Sequence, residues 1–530
     1  MHSLAYETNS KIGRKESFRV KRKIAKKLAQ RKRKIRKRLD KRSLPEEPRP
    51  MLNPGRIQYE IADRTRGITC GGIGAVQMLV QKLGLDKAID SRLRIFKLHN
   101  PYFESDHVLN IAYNILCDGD CLEDIEKLRN DETYLDAVGA ERIPDPTTAG
   151  DFCRRFSSEH VEILQDIIND IRLKVWAQQD PVFFKEAVID ADGTIAPTTG
   201  ECKEGMDISY QGLWGYHPLL VSLSNTGEPL YLCNRSGNCT SSKDAARYLD
   251  RAAAVCLQAG FKKIRFRGDT DFSQTAYLDG WDQKGITFVF GINAMPNLVQ
   301  IAETLPETVY ADLSRPPRYT VKTVPRSKPV NVKEQIVKER GYQNIRLCSE
   351  QTAEFEYRPV KCQTSYRIVV LRKNLTVEKG EQALFDDIRY FFYITNDRKS
   401  SRAEIVRQAN NRCNQENLIA QLKSGVNAMK LPVDNLVSNW AYMVMASLAW
   451  NLKAWYALLL PVSNRWKDQH ERQKQKILRM EFKTFRKYFV TLPCQIVKTG
   501  RRLLYRLLGW NEYLDAFFRA MDSFCRPLRC

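Results

Sequence analysis

The spacing of apolar positions along this chain changes character near residue 184. Between residues 72 and 180 they recur every three or four residues, as in GAVQMLVQKLGL, ESDHVLNIAYNILCDG and SEHVEILQDIINDIRLKVWAQQ, which predicts amphipathic helices. IPDPTTAGDFCRRF (143–156) predicts a Pro-Asp-Pro stop followed by a Thr-initiated helix. From 184 onward, short apolar runs are bounded by turn residues. FFKEAVIDADG, HPLLVSLS and EPLYLCNRS read as three strands, the last following a turn at Asn225–Gly227. SSKDAARYLDRAAAVCLQAG reads as a helix with serine caps at its start and Gly260 at its end. KKIRFRGD and ITFVFGIN are two further strands, with a short helix near SQTAYLDGWDQ between them.

The order β-β-β-α-β-α-β, followed by a later helix, is that of an RNase H-like core. Between that core and its next helix lie strand-like runs, RYTVKTV, AEFEYRPVKC, YRIVVLRKN and DIRYFFYITN, the last leading back into the core. The predicted fold is therefore α/β: an RNase H-like mixed-sheet core interrupted by a β-rich insertion, with helical N-terminal and C-terminal regions. The expected boundaries are a basic arm and linker at 1–50 and a helical DNA-binding domain at 51–180. The core follows at 181–297, the insertion at 298–390, the second part of the core at 391–460, and a helical tail at 461–530.

Charge sharpens the N-terminal part of this picture. Of the net +23, residues 11–42 hold 18 Lys/Arg against Glu16 and Asp40, a local excess of +16. With so few apolar residues, that arm is expected to be disordered or a solvated helix when free, and to order on a polyanion. Its cations, Lys21, Arg22, Lys23, Arg31, Lys32, Arg33, Lys34, Arg36, Lys37 and Arg38 among them, suit a phosphate backbone, where binding releases many counterions. Pro45, Pro48, Pro50 and Pro54 mark a linker after it. The most apolar stretch, 436–461, contains Asn439, Asn451 and Lys453 and reads as a buried helix rather than a membrane span. No apolar signal region is visible at the start. The 14 cysteines include no CxxC pair, so a reducing, cytoplasmic setting is expected.

Three acidic sites fall where such a core would bring them together. Asp190 and Asp192 are two apart at the end of the first strand, so both point to one face. Asp269 ends the fourth strand, with Asp271 just beyond. The third site is Glu416, in NRCNQENLIAQLKSG. At about 100° per residue, Arg412, Glu416 and Lys423 share one helix face, a carboxylate between two basic groups. Nearby, Ser401 and Glu404 fit a capping box, which gives Glu404 a structural role and leaves Glu416 as the catalytic candidate. Two divalent ions need hard oxygen ligands with positions left for phosphate and water, which makes Mg²⁺ the expected metal and Mn²⁺ its substitute. Taken singly, each acid also fits turn chemistry or a surface ion pair. Trp214 and Tyr216 are candidates for stacking on an unpaired base.

These motifs resemble those of DDE-type insertion-sequence transposases, the cut-and-paste superfamily whose last catalytic helix carries Y-x2-R-x3-E-x6-K. Arg412, Glu416 and Lys423 match three of its four positions, and Ala409 stands where the tyrosine would be. Asp192-Gly193-Thr194 matches the D-x-T motif, and Arg267, Asp269 and Phe272 match R-x-D-x-x-F. GYHPL, ITN and PDPTT are also similar to segments of these enzymes. The resemblance spans about residues 140–460. It implies Asp192, rather than Asp190, as the first catalytic metal ligand, with Asp269 and Glu416 as the others. Asp190, two residues away on the same face, is a candidate for an extra ligand, and Arg412, Lys423, His217 and Arg267 are candidate DNA contacts. It also implies two-metal cleavage and strand transfer, binding of terminal inverted repeats, synapsis by a homodimer, and a nucleoid setting in a prokaryotic cell. Two other readings stay open: an RNase H-like nuclease without strand transfer, and a non-catalytic, domesticated DNA-binding protein.

Overall fold

A computed structural model of the chain describes residues 22–38, 59, 65–99, 101–315, 332–380, 382–499, 502–526 and 528. The chain divides into two compact units, Met1–Phe152 with Leu448–Cys530, and Cys153–Ser447.

In the first unit the predicted helices form, among them Ile73–Leu83, which buries its apolar stripe, and Glu104–Leu116, which is buried on all sides except at Asp106. The helix predicted to start at a threonine starts instead at Pro146. Asp145 caps it, its carboxylate accepting the Thr148 N–H at 2.9 Å, because an acid before Pro at the first helical position satisfies free N–H groups better than a hydroxyl inside the turn. The tail holds helices at Lys467–Leu478 and Leu514–Phe524 but is not helical throughout. Cys494–Thr499 and Arg502–Leu507 form a hairpin that pairs antiparallel with Arg66–Ile68. Burial alternates along the first of these strands, with Cys494 and Ile496 buried and Gln495 and Val497 partly exposed, although the adjacent apolar residues Ile496-Val497 and Leu503-Leu504 give no such period in the sequence. Lys453 is fully buried and donates to the Leu478 carbonyl at 2.8 Å. No helix among the described residues is long and apolar enough to cross a membrane.

The second unit is built on one mixed sheet. Its strands in chain order are β1 (Ala187–Gly193), β2 (Leu219–Leu223), β3 (Glu228–Cys233), β4 (Ile264–Gly268), β5 (Thr287–Ile292), β6 (Ala311–Asp312), β7 (Gln343–Tyr357), β8 (Tyr366–Lys379) and β9 (Gln382–Thr395). Among the described residues the spatial order is β6-β7-β8-β9-β5-β4-β1-β2-β3. β1, β4 and β5 run parallel, and the other neighbouring pairs are antiparallel. The expected strand-helix order of the first half is present. The insertion is not a separate layer, because β7, β8 and β9 extend the same sheet, joined through Phe392–Thr395 of β9 against β5.

The helices follow the sequence pattern. α1 (Ser158–Trp176) starts at Ser157, which accepts the His160 N–H. It lies along the edge strand β3 and occupies that strand's open backbone groups: Gln165 accepts from the Leu232 N–H at 2.7 Å and Asn169 donates to the Leu230 carbonyl at 3.2 Å. A sheet edge covered this way cannot recruit another strand. α2 (Ala245–Ala259) buries Ala245, Ala246, Tyr248, Leu249, Ala252, Ala253 and Cys256, one apolar face of the helix. It ends at Gly260, whose φ of 97° is reached readily only without a Cβ. Its start differs from expectation: Asp244 precedes it at φ 62° with no side-chain cap, and Ser241 and Ser242 remain in the preceding loop. α3 (Thr275–Gln283), α4 (Arg402–Asn410) and α5 (Cys413–Ala420) complete the elements that frame the site. Ser401 caps α4 by accepting the Glu404 N–H at 3.2 Å.

Candidate active site

Each candidate acid is positioned by a different element. Asp192 is the next-to-last residue of β1, with Leu220 of β2 as its register partner. Asp269 follows β4 and caps the turn Thr270–Phe272, one carboxylate oxygen accepting the Asp271 N–H at 3.0 Å. Phe272, buried behind that turn, anchors it. Glu416 sits in the first turn of α5, which is tied to β2 through Gln415, whose side chain bonds the Leu220 carbonyl and the Ser222 hydroxyl.

Arg412 joins the three. Its guanidinium donates to Asp192 at 2.8 Å and lies 3.7 Å from Asp269 and 3.9 Å from Glu416. Side-chain exposure rises from 13% at Asp192 through 34% at Asp269 to 63% at Glu416, so the cluster opens to solvent on one side. Burial pushes the Asp192 carboxyl up to about 6; Arg412 works against this, while Asp269 and Glu416 reinforce it. Burial also raises Asp269, again opposed by Arg412. Among the described residues, no three His, Cys, Asp or Glu side chains are drawn close enough to enclose a metal. The cation among these carboxylates is the guanidinium.

Several expected site residues have other surroundings. Asp190 is 1% exposed and makes a two-point ion pair with Arg267, both distances 2.7 Å. The pair comes from parallel β1 and β4, where these two residues are register partners. Arg267 also donates to Ser224 and to the Gln408 carbonyl, which links β4 to α4. Asp190, expected as an extra ligand, and Arg267, expected as a DNA contact, are thus placed in a buried pair between strands rather than among the solvent-facing acids. Two buried, mutually neutralised groups tie strands together and present nothing to a phosphate. The seam of Arg412, Glu416 and Lys423 is likewise not one continuous helix face. α4 ends at Asn410, α5 begins at Cys413, and Lys423 falls in a π turn, Gln421–Gly425. Arg412 and Glu416 keep their i,i+4 contact, but the wider turn rotates Lys423 off their line. Lys423 is half-buried, and desolvation lowers its ammonium pKa.

His217 is buried, with Nδ1 2.8 Å from the Cys239 carbonyl. That contact fixes Nδ1 as the donor and leaves Nε2 as the acceptor, and burial holds the ring neutral by lowering its pKa. Nε2 faces Gly193 so closely that a Cβ there would lie 2.7 Å from it. Tyr216 is buried, and its hydroxyl donates to the Glu204 carbonyl at 2.7 Å, a structural role rather than a stacking one. Trp214 is 52% exposed. Ala409 packs against Val289, Val369, Leu371, Ile405 and Val406, a cluster that Tyr393 of β9 also joins. In the basic arm, residues 22–38 are helical, with Ile24, Leu28 and Ile35 half-buried and the cations exposed. Lys21 lies outside the described residues.

Beside the acids is a cavity of about 1030 Å³, lined by Tyr210, His217, Ser242, Thr270, Asp271 and Tyr277 among others. Sequence reasoning missed it. The run SSKD reads as a helix start in the sequence, whereas Arg235 holds it in a loop by donating to the carbonyls of Thr240, Ser241 and Lys243. A buried arginine that serves only backbone carbonyls leaves no periodic signal.

The transposase DDE domain group 1 family matches residues 67–526. The chain belongs to that family. The transposase has no match among curated proteins. Solved structures similar to it include the piggyBac transposase synaptic complex with hairpin DNA, determined by cryo-EM. The identity is 9% over 79% of this chain and 81% of that one, with a TM-score of 0.35. That score is too low to argue from. The family match stands on its own, and it spans both units.

Proposed function

We propose that this transposase cuts DNA at the terminal inverted repeats of its own insertion sequence and joins the freed ends to a target. Asp192, Asp269 and Glu416 are its catalytic carboxylates, set in an RNase H-like core. The observation that supports this reading is the single guanidinium of Arg412 within 4 Å of all three, which brings acids from three separate elements to one point. Hard carboxylate oxygens open to solvent fit Mg²⁺, with Mn²⁺ as a substitute, and bound metal would stabilise charge on the attacking and leaving oxygens. The transposase's own residues supply the rest. Asp192 must be deprotonated to serve as a ligand. Arg412, once released from the acids, is placed to grip a phosphate oxygen. The Nδ1–H of His217 stays on Cys239, so Nε2 can only accept, and it positions neighbouring groups without adding charge. Synapsis of two ends calls for a homodimer, and the exposed cations of residues 22–38 give the chain a sequence-independent hold on DNA.

The test is a cleavage assay on a duplex carrying the inverted repeats that flank the reading frame. Wild-type protein should nick it with Mg²⁺ and not with EDTA. Asp192→Asn, Asp269→Asn and Glu416→Gln should each lower the rate by about 100-fold or more. Full activity in any one of them removes that residue from the assignment. Joining of a pre-cut 3′-hydroxyl end to a plasmid separates a transposase from a nuclease without strand transfer.

A further inference from the structure

The far end of the insertion leaves an open sheet edge. β8 pairs with β9 along almost its whole length, but on its other side β9 meets β5 only through Phe392–Thr395. Among the described residues, Gln382–Phe391 therefore has one unpaired edge, about 33 Å long at the usual strand rise. The terminal strand β3 has its edge covered by α1; among the described residues no second strand pairs with this stretch of β9. The segment reads QALFDDIRYF and contains neither proline nor lysine, the residues that commonly blunt such edges. Leu384, Phe385, Ile388 and Phe391 are 43–58% exposed along it.

Its sequence is self-complementary in one register. Two copies of an edge strand pairing antiparallel about a two-fold axis normal to the sheet must have one residue opposite itself, because cross-strand neighbours point to the same face. Centring on Asp386, Asp387 or Arg389 sets a charge against its own copy. Centring on Ile388 sets Ile388 against itself, Asp387 against the partner's Arg389, Phe385 against the partner's Phe391 and Asp386 against the partner's Tyr390. Arg389 and Asp387 already pair within the strand at 2.8 Å, so the two-fold would close a four-residue ladder of alternating charge. The aromatic pairs flank it on the same face.

We infer that β9 is a dimerisation strand, and that two copies of this chain join their sheets edge to edge through Phe385–Phe391, centred on Ile388. This interface does not depend on the catalytic assignment, so a cleavage-dead Asp192→Asn protein still forms it. Sedimentation of the full chain without DNA tests it. Wild type should show concentration-dependent dimers. Asp387→Arg, which faces the partner's Arg389 with a like charge, should weaken association at least tenfold, and Asp387→Arg combined with Arg389→Asp should restore it. As a second measurement, Ile388→Cys should give a dimer with a short bis-maleimide linker above the background of the exposed Cys202, Cys348, Cys413 and Cys525. A wild type that stays monomeric overturns the inference. So does an Asp387→Arg protein that associates normally, a double exchange that fails to recover, or an Ile388→Cys yield no higher than wild type.

Discussion

Arg412 is the residue on which the candidate site turns. Held among three carboxylates, it lowers their mutual repulsion in the metal-free protein and competes with any cation for the same oxygens. Replacing it separates its two roles. Arg412→Gln should bind Mg²⁺ about tenfold more tightly without DNA, because no internal cation is displaced, and should still cleave more slowly because a phosphate contact is lost. Titration calorimetry and the cleavage assay read the two effects independently; weaker metal binding in the variant would contradict the first. Asp192 adds a pH dependence. Its carboxyl is raised to about 6, and only the deprotonated form binds metal. Apparent Mg²⁺ affinity should therefore be near full at pH 7 and fall about tenfold by pH 5. For folding the sign is the reverse: a carboxyl raised above its unfolded value favours the fold at low pH. That contribution is lost as pH climbs from the ordinary carboxylate range through 6. Calorimetry at pH 5, 6 and 7 checks the metal side, and an affinity flat across that range would exclude Asp192 as a ligand.

At the scale of elements, what could be read in the sequence follows from the range of the forces involved. The strands from Ala187 to Ile292 and the Gly260 stop were legible because period and turn chemistry are local. That Arg412 and Glu416 meet was legible because an i,i+4 contact is local, and that Asp192 and Asp269 lie at strand ends was legible from the turn residues that follow them. The pairing of Asp190 with Arg267 was not, since it depends on which strands become neighbours. The break between α4 and α5 and the π turn at Lys423 were hidden too, because the sequence there reads as unbroken helix. The edge protection at β3 was equally invisible. There Glu228 is fully buried and accepts from Arg172 at 3.1 Å, the Trp176 indole at 2.9 Å and the Thr226 hydroxyl at 2.6 Å. A charge with every partner in place is tolerated, but a partnerless one is not. Glu228→Ala leaves the Arg172 guanidinium buried without its counter-ion and should cost about 3–5 kcal/mol in denaturant unfolding. A loss under 1 kcal/mol would mean that water reaches Arg172.

For the whole molecule, the decisive asymmetry is that most of the net charge lies at one end of the chain while the acids lie in the other unit. Residues 22–38 contain eleven Lys/Arg and no acid, wound into a helix whose few apolar residues sit on a narrow stripe. Arg31 donates to the carbonyls of Leu507 and Gly509 at 3.2 and 2.9 Å, a contact within the first unit that holds the helix by backbone acceptors, while its other cations are exposed. Such a helix adds affinity without choosing sequence, since phosphates carry no base information. Each phosphate it neutralises should contribute about 0.9 to the slope of log affinity against log salt. If half of the eleven cations engage, deleting residues 1–43 should flatten that slope by about 5 and weaken binding to random duplex by two orders of magnitude or more at low salt. Mg²⁺ binding at Asp192, Asp269 and Glu416 should be unchanged, because none of those residues belongs to the deleted segment. Fluorescence anisotropy across a salt series, with calorimetry on the same truncated protein, measures both. An unaltered slope would mean that the helix serves a partner other than DNA, and a lost metal site would mean that it supports the fold of the catalytic unit.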